Sequence, residues 1–230
     1  MKTPLLLLND DGRRRRRLLA MIGAGLAVPA ILREASAQGL VPAEQGLRQV
    51  RGDVRVNGTP ASVGAVVRPG DTVTTGPLSY AMFVVGGDAW LMRENSRADL
   101  AGQSQVVDLL RLVTGKVLGV FGRSSVRRSM ATATATIGIR GTGGYLEAYP
   151  DRQLTYFCLC YGAAELDAGT SSENYTSTYH ENPRIVRGSG AARRIELAPV
   201  LNHGDAELVM LEGLVGRRPP QTFIDNVGRY

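Results

Sequence analysis

Short apolar runs separated by turn residues dominate this chain. Val54 to Val56, Ala65 to Val67, Thr72 to Thr74, Ala81 to Val85, Ala89 to Met92, Val106 to Val113 and Lys116 to Phe121 are each a few residues long. Between them lie Asn57-Gly58, Pro69-Gly70, Gly76-Pro77, Gly86-Gly87-Asp88, Gly115 and Gly122. Short strands at such spacing predict a mainly β fold, an antiparallel β-sandwich or barrel-like domain. Asn57-Gly58 is the dipeptide of a tight hairpin turn, because both residues tolerate positive φ. From Met130 the pattern becomes a strict alternation, M-A-T-A-T-A-T-I-G-I-R. Thr132, Thr134, Thr136 and Arg140 fall on one side of an extended chain, and Ala133, Ala135, Ile137 and Ile139 on the other. Gly141-Thr142-Gly143-Gly144 follows, where glycine lets the backbone turn or bulge before Tyr145 resumes the strand.

Beyond Leu166 the periodicity changes. Asp167 to Thr178 is polar and reads as a loop. Ile185-Val186 and Arg194 to Leu197 read as short strands. Asn202 or Gly204 is placed to cap a helix over about 205–215, with Asp205 and Glu207 in its first turn facing the positive end of the dipole. Leu208, Leu211 and Val215 then form one apolar stripe. Gly216 stands where a left-handed terminator belongs, and Pro219-Pro220 stop the helix. The expected cover for this stripe is the β domain.

The amino terminus changes how charge is read. Arg13 to Arg17 precede an apolar run, Leu18 to Leu32, and the small-x-small sequence Ala35-Ser36-Ala37 follows. A basic region, a short apolar core and a cleavage site at Ala35 and Ala37 predict a secretory signal over 1–37 and a mature chain from Gln38. The run is 15 residues long, short of the ~20 that span a bilayer, so no stable membrane span is expected after cleavage. Paired arginines before leucines look like a twin-arginine signal, and a general secretory signal is the alternative. Residues 1–37 hold Lys2, Arg33 and the five-arginine run against Asp10, Asp11 and Glu34. Their removal lowers the formal charge from +6 to about +2. The mature chain keeps only scattered arginine pairs, which argues against a nucleic-acid partner.

Several motifs, taken in order, resemble the FecR-domain family of bacterial envelope proteins. They are G-D-V-R-V-N-G-T-P-A from Gly52, V-R-P-G-D-T-V-T-T-G from Val67, E-N-S at Glu94 and R-L-V-T-G-K-V-L-G-V-F from Arg111. The R-G-T of Arg140, Gly141 and Thr142 and T-Y-F-C-L-C-Y-G from Thr155 complete the set. The resemblance covers 49–166, roughly half of the chain, with 38–48 as a linker and 167–230 as an extension carrying one α-helix. It implies a periplasmic, non-enzymatic binding or sensory module whose partner is an envelope protein or a small-molecule ligand. The family's membrane regulators place a sigma-factor-binding segment before a transmembrane helix. Residues 1–37, read as a signal, leave no place for either, which argues against direct sigma-factor control.

Candidate chemistry is sparse. Thr132, Thr134, Thr136 and Arg140 are candidates for a polar groove taking a sugar or carboxylate; the plainer reading is a solvent face. Trp90 reads as a stacking platform or, more plainly, as core. No pair of carboxylates, nucleophile elbow or phosphate loop stands out, so no catalytic residue is assigned. The chain has two cysteines, Cys158 and Cys160, and two histidines, His180 and His203. In T-Y-F-C-L-C-Y, alternation puts Phe157, Leu159 and Tyr161 on a core face and both thiols on the other. The segment that carries both histidines is the candidate cover. Two thiolates and two imidazoles are the ligands of a tetrahedral zinc site, and copper also suits them. Some family members with this C-x-C strand also look similar near Y-H and N-H-x-D. Packing of two buried thiols and an i, i+2 disulfide are the alternatives.

Overall fold

The computed structural model describes residues 44–229. The predicted signal, with Ala35 and Ala37, and most of the predicted linker lie outside them. The chain is mainly β, as its turn-punctuated pattern predicts. The first strands are β1 (Gly46–Arg51), β2 (Val54–Val56), β3 (Thr59–Pro60), β4 (Thr72–Thr75) and β5 (Tyr80–Val85). β6 (Asp88–Met92), β7 (Ser96–Gln103), β8 (Val106–Val120), β9 (Arg128–Ala131) and β10 (Thr136–Tyr149) follow. The last are β11 (Leu154–Asp167), β12 (Ser172–Ser177), β13 (Arg184–Arg187) and β14 (Arg194–Leu197). Hydrogen bonds join all of them into one open sheet. It is mixed because β8 and β9 run parallel, while the remaining pairs are antiparallel.

Local sequence explains the turns. β2 and β3 meet at Asn57-Gly58, with φ of 52° and 79°, the double left-handed turn that matches the twist of paired strands. The threonine run differs from expectation. It is not one strand. β9 ends at Ala131, the chain bends through 132–135, and β10 pairs back with Thr136 opposite Ala131. The cause lies in the hydroxyls. Thr132 Oγ1 accepts from the Thr134 and Ala135 amides, and the Thr132 amide bonds the Ala135 carbonyl. Such local side-chain bonds compete with a ladder.

Ser172–Ser177 also departs from expectation, being a strand on β11 where the sequence reads as a loop. Its backbone finds a free edge, and pairing overrides its polar composition. Gly141 adopts φ of 61° at a register shift between β10 and β11. There the ladder skips from Arg140–Ala163 to Gly143–Tyr161.

One face of the sheet encloses the main core. Phe83 stacks on Trp90 at 5.3 Å and Phe121 meets Trp90 edge-on at 6.1 Å, contacts worth about 0.5–1.5 kcal/mol each beyond burial. Trp90 is fully buried, so the plainer reading holds. Leu146, Phe157 and Leu159 point into this core. α1 (Asp205–Leu214) packs against β6 and β8 and reaches Tyr161 of β11 through Glu212, and a short helix, α2 (Gln221–Ile224), meets the same tyrosine through Phe223. α1 lies where its pattern predicts. Gly204 precedes it, Glu207 Oε2 accepts from the Gly204 amide at 3.1 Å, Leu208 and Leu211 are buried, and Gly216 has φ of 68°.

Candidate metal centre

β11 brings the thiols to the covered face. Its Cys158 lies opposite Tyr145 of β10, so Tyr145, Glu147, Tyr156 and Cys158 share the side away from Leu146 and Phe157. A bulge then intervenes, because Gly143 and Gly144 pair with Tyr161 and Leu159 and leave Cys160 extra. It corrects the strict alternation at Tyr161. That side chain joins the C-terminal segment instead of the main core, bonding Glu212 Oε1 at 2.5 Å and meeting Phe223 at 5.1 Å.

The outer edge of β11 is shared. β12 pairs with Gly162–Asp167 and β13 with Leu154–Phe157. The intervening stretch is met by the connection through His180, whose amide bonds the Cys160 carbonyl at 2.9 Å. His180 has φ of 52° and Asn202, next to His203, has φ of 65°. Left-handed backbone costs a non-glycine residue about 1 kcal/mol or more and concentrates at functional sites.

The result is convergence. Among the described residues, one donor atom from each of Cys158, Cys160, His180 and His203 lies within 4.8 Å of the others. Cys158 Sγ is 3.6 Å from His180 Nδ1, which is 3.0 Å from His203 Nε2. Both thiols are free and buried, and the four residues could hold a metal ion. A tetrahedral ion at standard bond lengths spaces its donors roughly 3.3–3.8 Å apart, so the polyhedron is nearly formed.

The outer nitrogens fix the tautomers. His180 Nε2 donates to Asp205 Oδ1 at 3.0 Å, and His203 Nδ1 donates to the Leu201 carbonyl at 2.7 Å. Both partners only accept, so in neutral rings the inner nitrogens carry lone pairs aimed at the thiols. Carboxylate and carbonyl acceptors behind a ligating imidazole orient it and raise its basicity.

Burial works against charge at Cys158. Hydrogen bonding with Cys160, positive charge on His203 and hydrogen bonding with the two imidazoles outweigh it and hold the thiol well below the usual range. Burial and then the Cys158 thiolate push Cys160 up. Burial opposes a proton on His203, but that thiolate raises its pKa overall.

Surrounding groups lock the ligand loops. Tyr145 stacks on His203 with ring centroids 4.5 Å apart. Arg93 lies over Tyr145 at 5.8 Å and bonds the Asn202 carbonyl and both Glu207 oxygens at 2.8–2.9 Å. Glu147, fully buried, accepts from Tyr145, Tyr149 and Asn202 at 2.6–2.7 Å, as a buried carboxylate requires. Sequence reading misses Arg93, Tyr145 and Glu147, for which no local pattern signals the role. Asp205 reads there only as a dipole partner. Its spacing from His203, H-x-D, is the available signal.

The threonine–arginine set is not gathered into one site. Thr132 and Thr134 place their hydroxyls 2.6 and 2.5 Å from Thr155 Oγ1. Thr136, Arg140 and Gly141 are exposed, and Thr142 is buried.

No protein-family model and no curated protein matches this chain. Two crystal structures of a candidate anti-sigma factor from Parabacteroides distasonis ATCC 8503, at 1.65 and 2.50 Å resolution, are similar to it. Each has a TM-score of 0.48 and 13% sequence identity, over 60% of this chain and 62% of that one, so the match spans less than two thirds of that chain.

Proposed function

We propose that this chain is a non-enzymatic, periplasmic binding or sensory module of the FecR-domain type, whose ligand is one zinc or copper ion held by Cys158, Cys160, His180 and His203. The carrying observation is the convergence of these four donors within 4.8 Å, each imidazole backed by an acceptor. Zinc suits the set better. A divalent ion balances two thiolates, and two sulfurs with two nitrogens are a standard closed zinc shell. Catalytic zinc keeps one position for water, whereas here all four donors come from the protein. That supports a structural or sensory role. The FecR-domain reading is supported by the ordered motifs from Gly52 to Gly162, with R-G-T at the bulge of β10. The expected partner is an envelope protein or a small molecule, not a nucleic acid.

Cobalt(II) is the direct spectroscopic probe. One equivalent added to the reduced, metal-free protein should give thiolate-to-cobalt absorption and strong tetrahedral visible bands, both displaced by zinc. A weak spectrum typical of six oxygen donors would contradict the site.

A further inference from the structure

We infer that occupancy of the centre controls docking of the C-terminal turn, residues 221–229. The inference rests on the metal centre proposed above and adds its output. Among the described residues, the turn is held on one small surface, built around the outer side of His180. Phe223, fully buried, packs its ring against His180 at 5.5 Å, Tyr179 at 5.4 Å and Tyr161 at 5.1 Å. Asp205 takes the His180 Nε2 proton donor on Oδ1, and on Oδ2 accepts from Tyr179 Oη and from the Gly228 amide, both at 2.8 Å. The Arg229 amide reaches Tyr179 Oη at 3.3 Å. Among the described residues, the turn's other hydrogen bonds run within itself or to Pro220.

His180 is thus shared. Its inner nitrogen faces the thiols, while its outer nitrogen and ring face form the floor and anchor of the turn. An ion bound at the inner nitrogen fixes the ring plane, and with it the Asp205 carboxylate and the bed of Phe223. Without that bond the ring, on a loop held at positive φ, is less constrained, and so is the turn. The two events are linked reciprocally, since whatever strengthens one strengthens the other by the same factor.

Amide hydrogen exchange on the full mature protein, with one equivalent of zinc and after chelation, tests the coupling. Zinc should slow exchange of the Gly228 and Arg229 amides by about tenfold, while the Leu146 and Phe157 amides stay protected in both states. One zinc per chain with equal exchange at Gly228 and Arg229 in both states overturns the coupling but leaves the metal centre standing. Failure to retain zinc overturns the centre itself, and the coupling with it. Phe223→Ala supplies a test that does not depend on the stability of the chelated form. Reciprocity predicts zinc affinity about 5–10-fold weaker in competition with a chromophoric chelator, and unchanged affinity overturns the coupling.

Discussion

His180 Nδ1 and His203 Nε2 face each other across 3.0 Å, although the residues come from different connections and their other nitrogens are committed to Asp205 and Leu201. Two lone pairs at that distance need a positive charge between or beside them. A proton on one ring, paired with the Cys158 thiolate, supplies it in part. A divalent cation satisfies both rings and both thiols together. Glu147, Arg93 and Tyr145 hold the loop that makes this approach, so the cluster is a framed feature of the fold.

Glycine conformation gives a graded prediction. Gly141 has φ of 61°, and among the described residues a Cβ there would meet only Arg123 Cγ, at 3.9 Å. Gly141→Val should therefore cost about 1 kcal/mol or more from backbone strain. Gly162 has φ of 99°, and its Cβ would lie 2.6 Å from Thr142 Cγ2 and 2.8 Å from the Gly141 carbonyl oxygen. Gly162→Ala should cost more than Gly141→Ala, because steric overlap adds to strain. Denaturant midpoints of the two alanine variants check the order, and the reverse order would contradict the bulge.

Glu212 sets a pH dependence. Burial raises its pKa above 4.5, more than the hydrogen bond from Tyr161 and the charge of Arg217 lower it. A raised carboxylate binds its proton more tightly when folded. Its contribution is complete below the unfolded value and is lost as pH rises through the folded one. The stability gap between wild type and Glu212→Gln should therefore narrow from pH 4 towards pH 7. A gap that widens over that range, read from urea unfolding, would contradict the burial of this group.

Export is predicted to use the arginine run. Replacing Arg15, Arg16 and Arg17 together with lysine should block a twin-arginine route and leave the protein in the cytoplasm. Cell fractionation reads the outcome, and unimpaired export would point to general secretion.

Much of this architecture was legible in the residues. Asn57-Gly58, Gly141, the helix from Asp205 and the opposed faces of Phe157 and Cys158 follow from local periodicity and turn chemistry. So does the idea that the histidine-bearing segment covers the thiols. Three features do not follow from the periodicity. The threonine run breaks because Thr132 caps its own turn, and the polar 172–177 segment pairs because β11 offers an edge. Tyr161 changes sides because one residue is inserted at Cys160. Nor does sequence spacing show that His180 and His203, 23 residues apart, arrive at one point. That depends on Arg93, just past the end of β6, and on Glu147 of β10, both far from the histidines along the chain.

The central claim is the four-ligand centre, and metal content tests it most directly. The protein from Gln38 onward, purified without tags or chelators and analysed by inductively coupled plasma mass spectrometry, should carry about one zinc or copper per chain. Cys158→Ser and His203→Ala should lose it while keeping the far-ultraviolet spectrum of a β protein. Absence of metal from wild type after zinc is supplied under reducing conditions, or its retention in both variants, would contradict the account.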